Sequence, residues 1–144
     1  MIEALPTIQK FALDNWPLIA VALTSGTMLL WPYLASARGG GARLSTLQAT
    51  RLINDSDAVI IDIRDQAEFA GSHIINARNI PAKVMDERKA EIDKLKGKPV
   101  IVSCDTGTRA SAGADKLRAL GLTEVFTLQG GLNAWRDAGL PVSK

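Results

Sequence analysis

The chain has one cysteine and one histidine in 144 residues, and these two scarcities exclude several kinds of protein. A single cysteine cannot form an internal disulfide, so nothing in the chain depends on an oxidising compartment. A zinc cluster built from cysteine and histidine needs more such ligands than the sequence holds. No motif arranges convergent carboxylates for an oxygen-ligated metal, and no cofactor is expected. An excess of one charge sign is also missing: 17 basic and 15 acidic residues leave a formal net charge of +2. With no basic stripe interleaved with aromatics, nucleic acid is not an expected partner.

What the chain does have is an uneven distribution of apolar residues. From Trp16 to Ala35 it reads WPLIAVALTSGTMLLWPYLA, without a charged residue. Twenty helical residues span about 30 Å, the thickness of a bilayer core. Trp16 at one end, and Trp31 and Tyr33 at the other, have the placement of an interfacial aromatic belt. Pro17 suits a first-turn position, and Pro32 a kink or stop near the far end. The sequence therefore predicts a tail over 1–15, a transmembrane helix over 16–35 and a flexible linker over 36–43. Two other readings compete. Thr24, Ser25, Gly26 and Thr27 dilute the apolar centre, as in a buried soluble helix. Ala35-Ser36-Ala37 has the form of a signal-peptidase site, so an exported form cleaved near Ala37 is the alternative. The uncleaved anchor is preferred, because only Lys10 is basic ahead of the run and the run is long for a signal core. Arg38 and Arg43 behind it, against Lys10 ahead, place the following domain on the cytoplasmic side. The expected location is a single-pass membrane protein, with the lipid bilayer as a partner.

Residues 44–144 read as one domain. Ser45-Thr-Leu-Gln48 is a capping box that opens a short helix with Leu47, Leu52 and Ile53 on its apolar side. Ala58–Ile63 and Pro99–Ser103 are continuous apolar runs rich in β-branched residues, the pattern of strands buried on both faces. Ala77–Ile80 and Val125–Leu128 are further strands. Gln66–Gly71 reads as a short helix or turn, and helices are expected over Lys83–Lys96, Thr108–Leu120 and Leu132–Ala138. Alternation of strand and helix implies an α/β fold, a doubly wound parallel sheet with right-handed crossovers. Ligands in such sheets bind outside the carboxyl ends of the strands, and Cys104 follows the strand Pro99–Ser103.

The segment Cys104-Asp-Thr-Gly-Thr-Arg109 is the candidate site. A buried strand delivers the cysteine, a short loop turns at Gly107, and a helix begins near Arg109. Such a turn aims several backbone N–H groups and a helix N-terminus at one concave spot, where an anion is stabilised. A cysteine at its edge is favoured as thiolate, the nucleophilic form. A lone cysteine after a strand is more often a small buried hydrophobe. The polar neighbours Asp105, Thr106, Thr108 and Arg109 argue against that reading here.

The segment from about Ser45 to Val142 resembles a rhodanese domain. Asp62-x-Arg64-x-x-x-Glu68-Phe69-x-x-Gly71, then His73-Ile74 and Asn79-Ile80-Pro81, resemble the family's first motif. Cys104-x-x-Gly107-x-Arg109 resembles its active loop. Gly130-Gly131-x-x-x-Trp135 and Gly139-Leu-Pro-Val142 resemble its final motif. A single such domain behind an N-terminal hydrophobic helix also resembles a group of bacterial membrane-anchored rhodanese-like proteins. The resemblance implies a sulfurtransferase in which Cys104 takes sulfane sulfur from thiosulfate or a persulfide and passes it to cyanide or a thiol. It implies that the backbone of Asp105, Thr106, Gly107, Thr108 and Arg109 binds the sulfur anion. Arg64 either lines the pocket entrance or pairs with Asp62 or Glu68, while His73 and Trp135 are expected to be structural. Related phosphatases use a loop one residue longer, so the six residues here point to sulfur. One departure stands out: Asp105 occupies a position that is basic in many thiosulfate users. A carboxylate there should repel dianionic thiosulfate. A non-enzymatic module that recruits a partner through the same scaffold is the competing function, and a phosphatase-like enzyme a more distant one.

Overall fold

The computed structural model describes the backbone of residues 5–39 and 41–144 and the side chains of residues 7–31 and 41–144. The chain divides into two compact units, Met1–Arg38 and Gly39–Lys144.

In the first unit, helix α1 (Leu5–Asp14) and helix α2 (Trp16–Gly39) are joined at Asn15. Residues 5–14, within the expected tail, are helical, as the spacing of Leu5, Ile8, Phe11 and Ala12 allows. The Asn15 amide and its side-chain Nδ2 both donate to the Phe11 carbonyl oxygen, at 3.0 and 2.9 Å. Among the described residues, no helix is long and apolar enough to cross a membrane. This corrects the expected transmembrane helix over 16–35, and with it the single-pass membrane location and the cytoplasmic orientation that depended on it. The apolar residues of α2 form two short runs, Leu18–Leu23 and Met28–Trp31, separated by Thr24-Ser-Gly-Thr27. The hydroxyls of Thr24 and Thr27 donate back to the carbonyls of Ala20 and Leu23, both at 2.9 Å. The side chains of Pro32, Tyr33, Ala35, Ser36, Ala37 and Arg38, which entered the anchor and cleavage readings, lie outside the described residues, as does Gly40 in the expected linker. The backbone of Ser36–Gly39, also expected in that linker, belongs to α2.

The second unit is an α/β domain. Five parallel strands run in the order β1 (Arg43–Leu44), β6 (Val125–Leu128), β5 (Val100–Ser103), β2 (Val59–Asp62), β4 (Arg78–Asn79). The central strand β5 is buried at all four positions, as its unbroken apolar sequence requires. Helices α5 (Lys89–Asp93) and α6 (Ala110–Ala119) cover one face, packing Ile92, Ala114 and Leu117 against Ile61, Val100 and Val102. Helices α3 (Thr46–Ser56) and α7 (Gly131–Asp137) cover the other, with Ala49, Leu132 and Trp135 against Ile60, Ile101 and Leu128. Each large apolar side chain so buried contributes about 1.5–3 kcal/mol. The capping box at the start of α3 is formed: the Ser45 amide donates to Gln48 Oε1 at 2.9 Å and the Gln48 amide to Ser45 Oγ at 3.3 Å.

Two features depart from the sequence reading. The helix expected over Lys83–Lys96 is broken into a 3-10 turn at Ala82–Val84 and the five-residue α5. Met85, fully buried between them, is the anchor that the charge-rich pattern concealed. A second sheet of two antiparallel strands, β3 (His73–Ile74) and β7 (Val142–Ser143), ties the chain terminus to the segment after helix α4 (Gln66–Gly71). Four residues of strand give too short a pattern to be recognised.

Candidate active site

β5 ends at Ser103, so Cys104 stands at the carboxyl end of the central strand, where α/β folds place their ligands. From there the backbone turns through five residues into α6, which starts at Ala110. Gly107 has φ +87°, a conformation that side-chain-bearing residues rarely adopt. This turn directs the Gly107 amide onto the cysteine, donating to Sγ at 3.0 Å. The amides of Asp105, Thr106, Thr108 and Arg109 have no acceptor among the described residues. Cys104 itself is fully buried, whereas Thr106, Thr108 and Arg109 are exposed.

The loop is held from beneath by the start of α7. The Leu132 amide donates to the Cys104 carbonyl at 2.8 Å and the Asn133 amide to the Asp105 carbonyl at 3.1 Å. Gly131, at φ +57°, packs so closely that a methyl group on it would overlap the Cys104 carbonyl oxygen. Sequence reasoning placed Gly130-Gly131 in a motif but assigned them no role. A glycine pair between a buried strand and an apolar helix is the signal that marks such a close backbone approach.

Charged side chains converge from β2, α4 and the loop. Arg64 is almost wholly buried, with its side chain 5% exposed. Its Nε donates to Asp62 at 3.0 Å, its Nη2 to Asp62 Oδ2 at 2.6 Å and to the Ser72 carbonyl at 2.7 Å. Its remaining Nη1 reaches Asp105 Oδ1 at 3.0 Å. Of the two carboxylate partners left open by the sequence, Arg64 pairs with Asp62, and no contact with Glu68 is formed among the described residues. The other Asp105 oxygen accepts from Arg109 Nη2 at 2.9 Å, and Arg109 lies 3.4 Å from Glu68 Oε1. Hydrogen bonding to Asp62, and then the charge of Asp62 and the hydrogen bond and charge of Asp105, push the Arg64 pKa up against the opposing effect of burial. For Arg109 burial acts downward, but Glu68, Asp105 and the Cys104 sulfur together raise it. Both guanidiniums are therefore permanent charges. Asn79, also unassigned from sequence, donates from Nδ2 to the carbonyls of Asp62 and Arg64 at 3.1 and 2.9 Å, which pins the end of β2.

His73 and Trp135 stand outside this group. His73 Nδ1 lies 2.8 Å from the Phe69 carbonyl, and its ring stacks on Phe69 with centroids 3.8 Å apart. Trp135 is buried, and its Nε1 donates to the Pro141 carbonyl at 3.0 Å. A cavity of about 110 Å³ flanks the loop, walled by Thr106, Gly107 and Thr108 on one side and by Arg43 and Gln129 on the other.

Comparison with known proteins agrees with this geometry. The family model of the rhodanese-like domain matches residues 45–138. The uncharacterized protein YibN of Escherichia coli K12 is 33% identical over 126 residues, covering 87% of this chain and 82% of that protein. The thiosulfate sulfurtransferase GlpE of Coxiella burnetii is 35% identical over 94 residues, covering 65% of this chain and 86% of GlpE. Among solved structures, a rhodanese-related protein of Thermoplasma volcanium superposes with a TM-score of 0.63 at 25% identity, covering 72% of this chain and 98% of its own.

Proposed function

The chain belongs to the rhodanese-like domain family, and on that premise we propose that it is a sulfurtransferase using Cys104 as nucleophile and persulfide carrier. The observation that carries this reading is the Gly107 amide on Cys104 Sγ at 3.0 Å, inside a loop whose other amides have no protein acceptor. That amide donates to the nucleophile's sulfur, and the remaining donors suit a second, terminal sulfur that carries negative charge. In the first half-reaction the Cys104 thiolate attacks the outer sulfur of the donor. A new S–S bond forms at Cys104 while the donor's own bond to that sulfur breaks, releasing a thiolate or, from thiosulfate, sulfite. In the second, a thiol or cyanide acceptor attacks the terminal sulfur and Cys104 leaves as thiolate. The two displacements balance without an external oxidant or reductant. The acceptor is another molecule, since the chain has no second cysteine to resolve the persulfide.

The surroundings of Asp105 bear on the donor. Three carboxylates, Asp62, Glu68 and Asp105, engage the two guanidiniums of Arg64 and Arg109. The group retains one net negative charge, and neither arginine is left to attract a dianion. This favours a persulfide donor of low charge over thiosulfate.

The test is intact mass after brief exposure of the folded protein to thiosulfate or to a thiol persulfide. Gain of one sulfur atom that is lost in Cys104→Ser supports the enzyme. Absence of any adduct with both donors would assign the chain to the non-catalytic, partner-recruiting kind instead.

A further inference from the structure

A second cavity lies at the other end of the sheet, at the amino ends of β2 and β5. It measures about 460 Å³, within the range of roughly 300–1,000 Å³ usual for small-molecule sites. Its apolar lining comes from Ile53 of α3, Ile60 of β2, Trp135 of α7 and Leu140. Its rim carries the cations Arg78 and Lys98. Lys98 is bound to Asp57 at 2.8 Å, whereas Arg78 is exposed and forms no ion pair among the described residues. Asp57 and Asn76, on the rim, are also the two non-glycine residues with positive φ among the described residues, at 53° and 61°. Asp57 takes that conformation as the residue that ends α3, which fixes one edge of the cavity.

We propose that this cavity binds a small amphiphilic anion, an aryl or short alkyl group that bears one carboxylate or sulfonate. The apolar body lies against Ile53, Ile60, Trp135 and Leu140, and the acid meets Arg78. Apolar walls supply affinity without orientation, and a single unpaired guanidinium at the mouth fixes which end enters. This site is independent of the sulfur chemistry at Cys104, which stands at the opposite ends of the strands.

The experiment titrates ¹⁵N-labelled full-length protein with 3-phenylpropanoate and, in parallel, with the neutral 3-phenylpropan-1-ol. Saturable shifts are expected at the amides of Ile60, Ile75 and Asn76 and at the Trp135 indole. The alcohol should bind about tenfold more weakly, and Arg78→Glu should weaken the acid by a similar factor, as loss of one charged hydrogen bond implies. Equal affinity for acid and alcohol would overturn the proposal, as would acid-induced shifts confined to residues 5–31. Unchanged affinity in a folded Arg78→Glu protein would overturn it too. A cavity silent to the acid, as expected of one that receives a peptide or a second copy of the chain, does the same. The readout is binding alone, so its failure is distinct from failure of the sulfurtransferase reading.

Discussion

Gly131 lies in backbone contact with Cys104: no side chain fits between the first turn of α7 and the Cys104 carbonyl oxygen. The Cys104 loop is therefore positioned by a segment 27 residues away, through that contact and the amide of Leu132.

Gly131→Ala should accordingly displace the loop. Positive φ at a non-glycine residue costs about 1–3 kcal/mol, and the overlap with the Cys104 and Asp105 backbone adds to it. We expect a lower urea midpoint together with slower persulfide formation at Cys104. Wild-type kinetics of sulfur uptake in Gly131→Ala would show that the contact does not position the loop.

If the chain is a sulfurtransferase as proposed, Asp105 sets the charge that a donor would meet. Asp105→Arg should raise kcat/KM for thiosulfate by about tenfold to a hundredfold, from the reversal of one charge within a few ångströms of a dianion. Asp105→Asn, which keeps hydrogen-bonding capacity while removing the charge, should fall between. Turnover of a persulfide with an uncharged body should change far less in both variants. If thiosulfate turnover stays at its wild-type level in Asp105→Arg, electrostatic exclusion is not the cause of donor choice.

Asp62→Ala leaves the Arg64 guanidinium buried without its main partner. Loss of one member of a buried ion pair costs about 3–5 kcal/mol, so equilibrium unfolding in urea should show a large loss of stability. Asp62→Asn preserves one acceptor for Arg64 and should lose less. Equal stability of wild type and Asp62→Ala would mean that Asp105 alone satisfies Arg64.

Asp57 reports on the opposite end of the sheet. Hydrogen bonding to Lys98, and then its charge, hold the Asp57 carboxyl below its ordinary value of 3.8. Because the folded-state value is depressed, the contribution of this pair is complete above the unfolded value and disappears as pH falls through the lower folded one. A carboxyl titration by NMR should give a midpoint below 3.8 that returns upward in Lys98→Met. An Asp57 midpoint that does not move in Lys98→Met would exclude the pair as its cause.

Much of the domain was legible because its signals are local. The apolar runs of β2, β5 and β6 identify buried strands, and the Ser45–Gln48 box marks the start of α3 without reference to anything distant. The Cys104–Arg109 loop was legible as a candidate site because a polar, glycine-containing turn after a buried strand suits an anion-binding concavity. Lys83–Lys96 was misread because charge spacing resembles a helix face while a single buried Met85 decides the path of the chain. The membrane helix was expected because length and absence of charge were given more weight than Thr24-Ser-Gly-Thr27, which divide the apolar stretch of α2.

By itself, the sequence determined the α/β alternation, the strand that delivers Cys104 and the length of the loop behind it. Only the tertiary structure decided what Asp105 does. The register that sets Asp62 beside Ser103 brings the ends of β2 and β5 together, so that Arg64 and Asp105, 41 positions apart, share a hydrogen bond. A periodic pattern records which face of an element is buried, whereas a pairing across two strand ends depends on the register between them. That register is set by how whole strands pack, and no local run of residues encodes it.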